Sequence, residues 1–334
     1  MRPLVSVIIP AYNASATLDE TLHSARAQTY SPLEIVVVDD GSTDATAAVA
    51  SRHAACDGRV RVLRRDHRGH AAARNTAIAA ARGTLIAPLD ADDLWRPRKI
   101  ELQVAALQTG GQRVGLVYTW FASVDEKGRI RSTGHRPTDA GEVLRNCCRR
   151  NLVGNGSGAL MPKHVILECG GYDEALDGCE DLKLYTAIAA RYHYAVVPEH
   201  LTGYRQSNAN VTSNVGRMHR DADRVIAQLE REHPQFLAEL GEMRLSVYEW
   251  LFSRAVLAGR VQDAARLLRA LWSRDRSQSL LCLISAPKIA AMRSWYRTGR
   301  PLARGLCGAQ EGFSVPRFLQ TQDAVHPSEH LVQS

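Results

Sequence analysis

The feature that most constrains this chain is a repeated pairing of short, β-branched apolar runs, each stopped by a polar cluster, with helix-patterned stretches in between. Residues 4–9 form the first run and stop at Pro10-Ala11-Tyr12-Asn13. Residues 34–38 stop at Asp39-Asp40-Gly41-Ser42-Thr43-Asp44, and residues 84–89 at Asp90-Ala91-Asp92-Asp93. Runs this short, with such terminators, read as buried strands rather than helices. Between them, residues 17–27 carry Leu18, Leu22 and Ala25 at helical spacing, and an alanine-rich helix extends to about residue 53. A strand at 60–63 and a helix at 70–81 follow. Such alternation specifies an α/β sheet covered on both faces. Ligands of these sheets bind beyond the carboxyl ends of the strands, so the three polar clusters are expected to converge on one site.

Further on, the pattern predicts a helix over 97–107, a strand over 114–121, a hairpin through Asp125-Glu126-Lys127-Gly128 and a helix over 181–191. Beyond residue 210 the character changes, and periodic Leu, Ala and Arg over 218–272 read as three or four helices. The expected division is a catalytic domain at 1–210, a helical extension at 211–312 and a flexible tail at 313–334. With 334 residues, 45% of them hydrophobic, the chain can bury a sizeable core.

A net charge of +7 favours an anionic partner. The arginines of the first 200 residues are scattered among carboxylates, which argues against a nucleic-acid groove. The seven cysteines include no Cys-x-x-Cys pair, so a reduced compartment is the simplest reading. Neither a signal-peptide core nor a bilayer-length apolar run is present in the sequence. The expected location is therefore the cytoplasm, with the inner face of the cell membrane as a peripheral station. Between Asp275 and Glu311 no acidic residue occurs, while Arg293, Arg297 and Arg300 alternate with apolar residues, Trp295 and Tyr296. Residues 276–310 read equally as a segment lying on anionic lipid and as a basic helix with its charges in water.

Three carboxylates in four residues at a strand end, Asp90, Asp92 and Asp93, make an oxygen-rich site for a hard divalent cation, or else a solvated turn capping the next helix. Asp40 either accepts an N–H from a nucleobase edge or closes an Asx turn at Gly41. Tyr12, in the Pro10–Asn13 cluster, either stacks on a flat base or packs in the turn. Glu180-Asp181, taken without further context, reads as first-turn carboxylates favoured by the helix dipole. No Gly-x-Gly-x-x-Gly follows the first strand, so a dinucleotide site is disfavoured.

In order along the chain, Val5-Ser6-Val7-Ile8-Ile9-Pro10-Ala11-Tyr12-Asn13, Val38-Asp39-Asp40-Gly41-Ser42, Ala72-Ala73-Arg74-Asn75, Leu89-Asp90-Ala91-Asp92-Asp93, Gly170-Gly171-Tyr172-Asp173-Glu174, Glu180-Asp181 and Leu201-Thr202-Gly203-Tyr204-Arg205 resemble family 2 glycosyltransferases. That resemblance covers residues 4–205 and implies a GT-A fold, a Rossmann-like mixed α/β sheet, here with a C-terminal helical extension. It implies an inverting transfer from a nucleoside-diphosphate sugar to an acceptor hydroxyl on a glycan or lipid-linked glycan, with Mn²⁺ or Mg²⁺ as cofactor. Asp181 becomes the general base, Asp92 the metal ligand, and Glu180 and Asp93 supporting groups. Pro10, Tyr12, Asn13, Asp40, Arg74, Asp90 and Ala91 become the donor-binding residues, with Arg74 beside the donor's base or diphosphate. Ala187 stands where many members carry an arginine, which leaves Arg191 to take over its part. A sugar nucleotidyltransferase and a non-catalytic nucleotide-sugar binding protein are the rival readings. The first is weakened because Pro10–Asn13 lacks a glycine- and arginine-rich phosphate loop.

Overall fold

The computed structural model describes residues 2–133, 136–176, 178–205, 214–273 and Phe318. The predicted alternation is realised in the first third. Strands β1 (Val5–Ala11), β2 (Leu33–Asp39), β3 (Val60–Arg64) and β4 (Leu85–Pro88) alternate with helices α1 (Leu18–Arg26), α2 (Thr46–Cys56) and α3 (His70–Ala80). These four strands lie parallel in the order β3-β2-β1-β4. Every residue of β1 and β2 is buried, as expected of strands covered on both faces.

The sheet then becomes mixed. After the two-residue β5 (Leu94–Trp95) and helix α4 (Lys99–Gly110) come β6 (Val114–Val124), β7 (Ile130–Thr133), α5 (Leu144–Arg149), β8 (Ala159–Pro162), α6 (Lys163–Glu168), α7 (Glu180–Ala189) and β9 (His193–Arg205). Strand β8 joins β4 to β6 by antiparallel pairing, β9 runs parallel to β6, and β5 closes the edge antiparallel to β9. The order is β3-β2-β1-β4-β8-β6-β9-β5, with the short hairpin strand β7 on β6.

Alternating side chains of the central strands feed two cores. Val5, Val7, Ile9, Ile35 and Val37 pack with α1, α2 and α4. Ile8, Val36 and Val38 pack with α3, α6 and α7 on the other face.

Helices α8 (Val215–Glu232), α9 (Leu237–Ala258) and α10 (Val261–Trp272) follow, in keeping with the three or four expected. Val225, Ile226 and Leu229 of α8 and Leu240 and Met243 of α9 meet Cys148 of α5, Leu176, and Leu182 of α7 in one buried cluster. The expected boundary near residue 210 and the basic stretch 276–310 lie outside the described residues. So does the expected flexible tail, apart from Phe318. Phe318 is fully buried among Leu94, Ala122 and Val124, donates its N–H to the Gly128 carbonyl at 2.8 Å and has the Arg96 guanidinium over its ring. Its ring fills an apolar recess left by β5, β6 and the hairpin. No helix among the described residues is long and apolar enough to cross a membrane.

Candidate active site

The three polar clusters do converge. Pro10 and Ala11 are buried at the end of β1, while Tyr12 and Asn13 emerge from it. Asn13 holds a left-handed backbone, φ 49°, and ties the first cluster to the second: its Oδ1 accepts the Thr43 N–H at 2.9 Å and its N–H reaches Ser42 Oγ at 3.0 Å. Asp40, expected to accept an N–H from a base edge, already has partners within the chain. Asp40 is buried, accepts the N–H groups of Arg68 and Gly69, and pairs with Arg65 at 2.8 Å and His67 at 2.9 Å. The flat surface on offer is Tyr12, 46% exposed and stacked on His67 with ring centroids 4.0 Å apart.

The acidic loop between β4 and β5 is braced on all sides. Thr17 and Thr21 of α1 donate to the Ala91 carbonyl, and Ser157 Oγ donates to Asp93 Oδ2 at 2.6 Å. Arg205, at the end of β9, gives its backbone N–H to Asp93 Oδ1 at 2.9 Å and its Nε to the Asp92 carbonyl at 2.7 Å. Asp93 is fully buried, and burial together with the charges of Asp92 and Asp90 raises its pKa well above the carboxylate range. Asp92 is different, because among the described residues no other residue donates to its carboxylate. Burial and the neighbouring Asp90 push Asp92 up to about 6.

Arg74, expected beside the donor, is 1% exposed and pairs with two carboxylates, Asp90 Oδ1 at 2.6 Å and Glu180 Oε1 at 2.7 Å. Burial raises the Asp90 pKa, but the Arg74 and His70 charges outweigh it and hold Asp90 well below the usual carboxylate range. Asp90 Oδ2 carries no hydrogen bond among the described residues, which leaves it free to accept a hydroxyl. Gly156 makes room for this pair. A Cβ there would stand 2.2 Å from Arg74 Nη2 and 2.8 Å from Asp90 Oδ2.

Glu180 and Asp181 open α7, directly after Cys179, a non-glycine residue at φ 61°. A left-handed non-glycine residue stores ~1–3 kcal/mol of strain, which the surrounding packing must hold. Asp181 is pushed up to about 6 by burial and the adjacent Glu180 charge, which suits a group that must take a proton near neutral pH. Arg191, the candidate to replace the missing arginine, is exposed and donates to the Glu168 carbonyl at the end of α6, so it takes no part here.

The acidic loop does not close a cation cage. Among the described residues the one trio of ligand atoms close enough to share an ion is Asp19 and His23 of α1 with His53 of α2, away from the acidic loop. That trio suits a metal poorly. Arg26 Nη1 sits 3.1 Å from His53 Nδ1 and can only donate, so in the neutral ring Nε2 carries the proton and has no lone pair to give. Asp92, a carboxylate without a cationic partner beside a second carboxylate, fits a hard ion that takes its remaining ligands from water and phosphate oxygens.

Residues 6–169 match the model of the family described as glycosyl transferase family 2. That stretch belongs to the family. Among relatives of the chain is an uncharacterized glycosyltransferase of Rickettsia bellii, 32% identical over 192 residues, or 56% of this chain and 27% of that protein. Escherichia coli chondroitin synthase is 38% identical over 133 residues, 40% of this chain and 19% of the synthase. The match thus spans less than a third of the length of each of these two relatives. Among solved structures, the mannosyltransferase of Pyrobaculum calidifontis in complex with GDP-Man and Mn²⁺ has a TM-score of 0.57 at 24% identity, over 89% of this chain and 88% of that one. S. aureus TarS in complex with UDP-GlcNAc has a TM-score of 0.54 at 15% identity, over 89% and 92%. These likenesses establish the GT-A fold.

Several residues of the site carried no mark in the sequence reading. His70 lies one helical turn before Arg74 and reaches both Asp90 and Glu180; the i, i+4 spacing of His70 and Arg74 behind Gly69 was the available signal. His67, Gly156 and Ser157 sit on loops whose meaning comes only from tertiary contact.

Proposed function

We propose that this chain is a family 2 glycosyltransferase that transfers a sugar from a nucleoside-diphosphate donor to an acceptor hydroxyl with inversion at the anomeric carbon. The observation that carries the proposal is the pairing of two carboxylates, Asp92 and Asp181, each held near 6, on either side of the Asp90–Arg74–Glu180 bridge. One is fitted to a cation and the other to a proton. In this reading Tyr12 and His67 face the base, Asp90 Oδ2 accepts a donor hydroxyl, and Asp92 is the residue that would hold Mn²⁺ or Mg²⁺. The bound cation supplies charge neutralisation for the leaving diphosphate.

Asp181 takes the proton of the acceptor hydroxyl as the new C–O bond forms on the face opposite the departing nucleoside diphosphate. The anomeric C–O bond to phosphate breaks with the electron pair leaving on the diphosphate oxygen. One in-line displacement gives inversion, through a transition state of oxocarbenium character. Similarity to enzymes of the chondroitin synthase kind supports a glycan or lipid-linked acceptor in surface-polysaccharide assembly. The basic stretch 276–310 is the segment proposed to rest on the inner membrane face.

The test is turnover of a panel of nucleoside-diphosphate sugars with Mn²⁺, with and without chelator, by the wild type, Asp92→Ala and Asp181→Asn. One donor should turn over, chelator and Asp92→Ala should abolish the reaction, and Asp181→Asn should lower the rate ~10²–10⁴-fold. Turnover insensitive to chelator and to both substitutions refutes the assignment.

A further inference from the structure

The roles above leave His70 unused, although it is the positively charged group of the site that meets the cleft. It is the first residue of α3, placed by Gly69 at φ 94°. Its Nδ1 lies 3.2 Å from Glu180 Oε1 and its Nε2 3.4 Å from Asp90 Oδ1. Arg74, one turn further on, touches the same two oxygen atoms. Two cations therefore bridge one pair of carboxylate oxygens. The Arg74 side chain does so from beneath, 2% exposed, and that of His70 from the cleft side, 26% exposed. Asp90 belongs to the loop that meets the donor, and Glu180 is the immediate neighbour of Asp181. A single bridge from beneath would leave these halves hinged about the guanidinium, and a second bridge above it removes the hinge.

We infer that His70 is a positioning residue that ties the donor-side carboxylate Asp90 to the acceptor-side Glu180 and so fixes the base Asp181 relative to the donor. The inference rests on the reading of Asp181 as base. Both ring nitrogens face carboxylates, so the bridging form is the imidazolium. Burial and the Arg74 charge press its pKa down, but Asp90 and Glu180 outweigh them and hold it at about 9. The charged groups that face His70 are thus Asp90 from the acidic loop, Glu180 from α7 and Arg74 from α3 itself, with Asp92 contributing more weakly. A histidine that merely filled space would need neither charge nor both contacts.

The experiment compares His70→Gln and His70→Lys with the wild type in the full chain, using Mn²⁺ and a donor shown to turn over, with Asp181→Asn alongside. His70→Gln should lower kcat by ~10- to 100-fold, the scale of a small misplacement of reacting groups, while donor KM changes little. It should also move the acidic limb of kcat to higher pH, because a positive charge near the Glu180–Asp181 pair is gone. His70→Lys keeps a cation and should return the limb towards its wild-type position. In the wild type, the His70 ring resonance followed by NMR should titrate well above an ordinary histidine, and should fall in Glu180→Gln. Equal behaviour of Gln and Lys with an unmoved limb overturns the inference. So does ordinary titration of His70, which decides the matter even if His70→Gln does not fold. An Asp181→Asn variant as active as the wild type would refute the base assignment instead, and leaves the NMR result to judge the bridge by itself.

Discussion

At the scale of single residues the site depends on atoms that are missing as much as on those present. Gly156 has no Cβ, and the Arg74–Asp90 pair occupies the space one would fill. Gly156→Ala should therefore displace the guanidinium and the carboxylate together, lowering kcat/KM by ~10²-fold, as small misplacements in active sites do. Turnover within a factor of two of wild type would show that the pair gives way without consequence. The two raised carboxyls predict a pH dependence whose sign follows directly. Asp181 must be ionised to accept a proton, so kcat should fall as pH drops through about 6. For stability, Asp92 rises from 3.8 unfolded to about 6 folded, so the folded state binds its proton more tightly. That contribution is fully present below the unfolded value and is lost as pH rises through about 6. In chelator, Asp92→Asn should melt higher than the wild type at pH 7 and gain less at pH 5, by calorimetry, while losing metal-dependent turnover.

At the scale of elements, the end of β9 is the clamp on the acidic loop. Arg205 is 1% exposed and joins Asp92 and Asp93 to the Glu126 carbonyl of the hairpin and to Glu20 of α1, the last at 2.6 Å. Arg205→Ala leaves the Asp92 and Glu126 carbonyls without their donor and should cost ~1–3 kcal/mol in denaturant melts. Arg205→Lys should recover only part of this, since an ammonium lacks the guanidinium's fork. If Lys restores both stability and turnover fully, a point charge suffices and the fork is irrelevant. This clamp also marks where sequence reading stopped. Strands β1 and β2 were legible because local apolar runs and abrupt polar stops carry them, and the acidic loop because a strand delivers it. The environments of Arg74 and Asp40 were not, because a carboxylate distant in sequence turns one into a buried strut and the 65–69 loop closes over the other. Elements α5, β8 and α6, of four to six residues each, are too short for a period to show; what fixes them is pairing with β4 and β6 and packing under α7.

At the scale of the whole molecule, the helices beyond residue 214 stand directly behind the proposed base. Leu182 follows Asp181 and is buried with Leu240, Met243, Val225 and Ile226, and a Cβ on Gly178 would meet Met218 Sδ at 2.3 Å. The strained Cys179, between Gly178 and Glu180, is held by the same contacts. The extension and α7 therefore share one core, and a cavity there reaches the base without touching substrate. Leu271 offers the comparison, because it is equally buried, between α10 and α9, in the cluster away from Leu182. Leu240→Ala and Leu271→Ala should each cost ~2–5 kcal/mol, the usual range for such cavities. Below both melting points, Leu240→Ala should also lower kcat and speed hydrogen exchange over residues 180–184, whereas Leu271→Ala, whose cluster meets this segment only at Cys179 and through Met218, should have the smaller effect on both. If the two variants lose activity in the same proportion as stability, the extension only adds stability; if Leu240→Ala loses more activity for its stability than Leu271→Ala does, the helices behind α7 set the position from which Asp181 takes its proton.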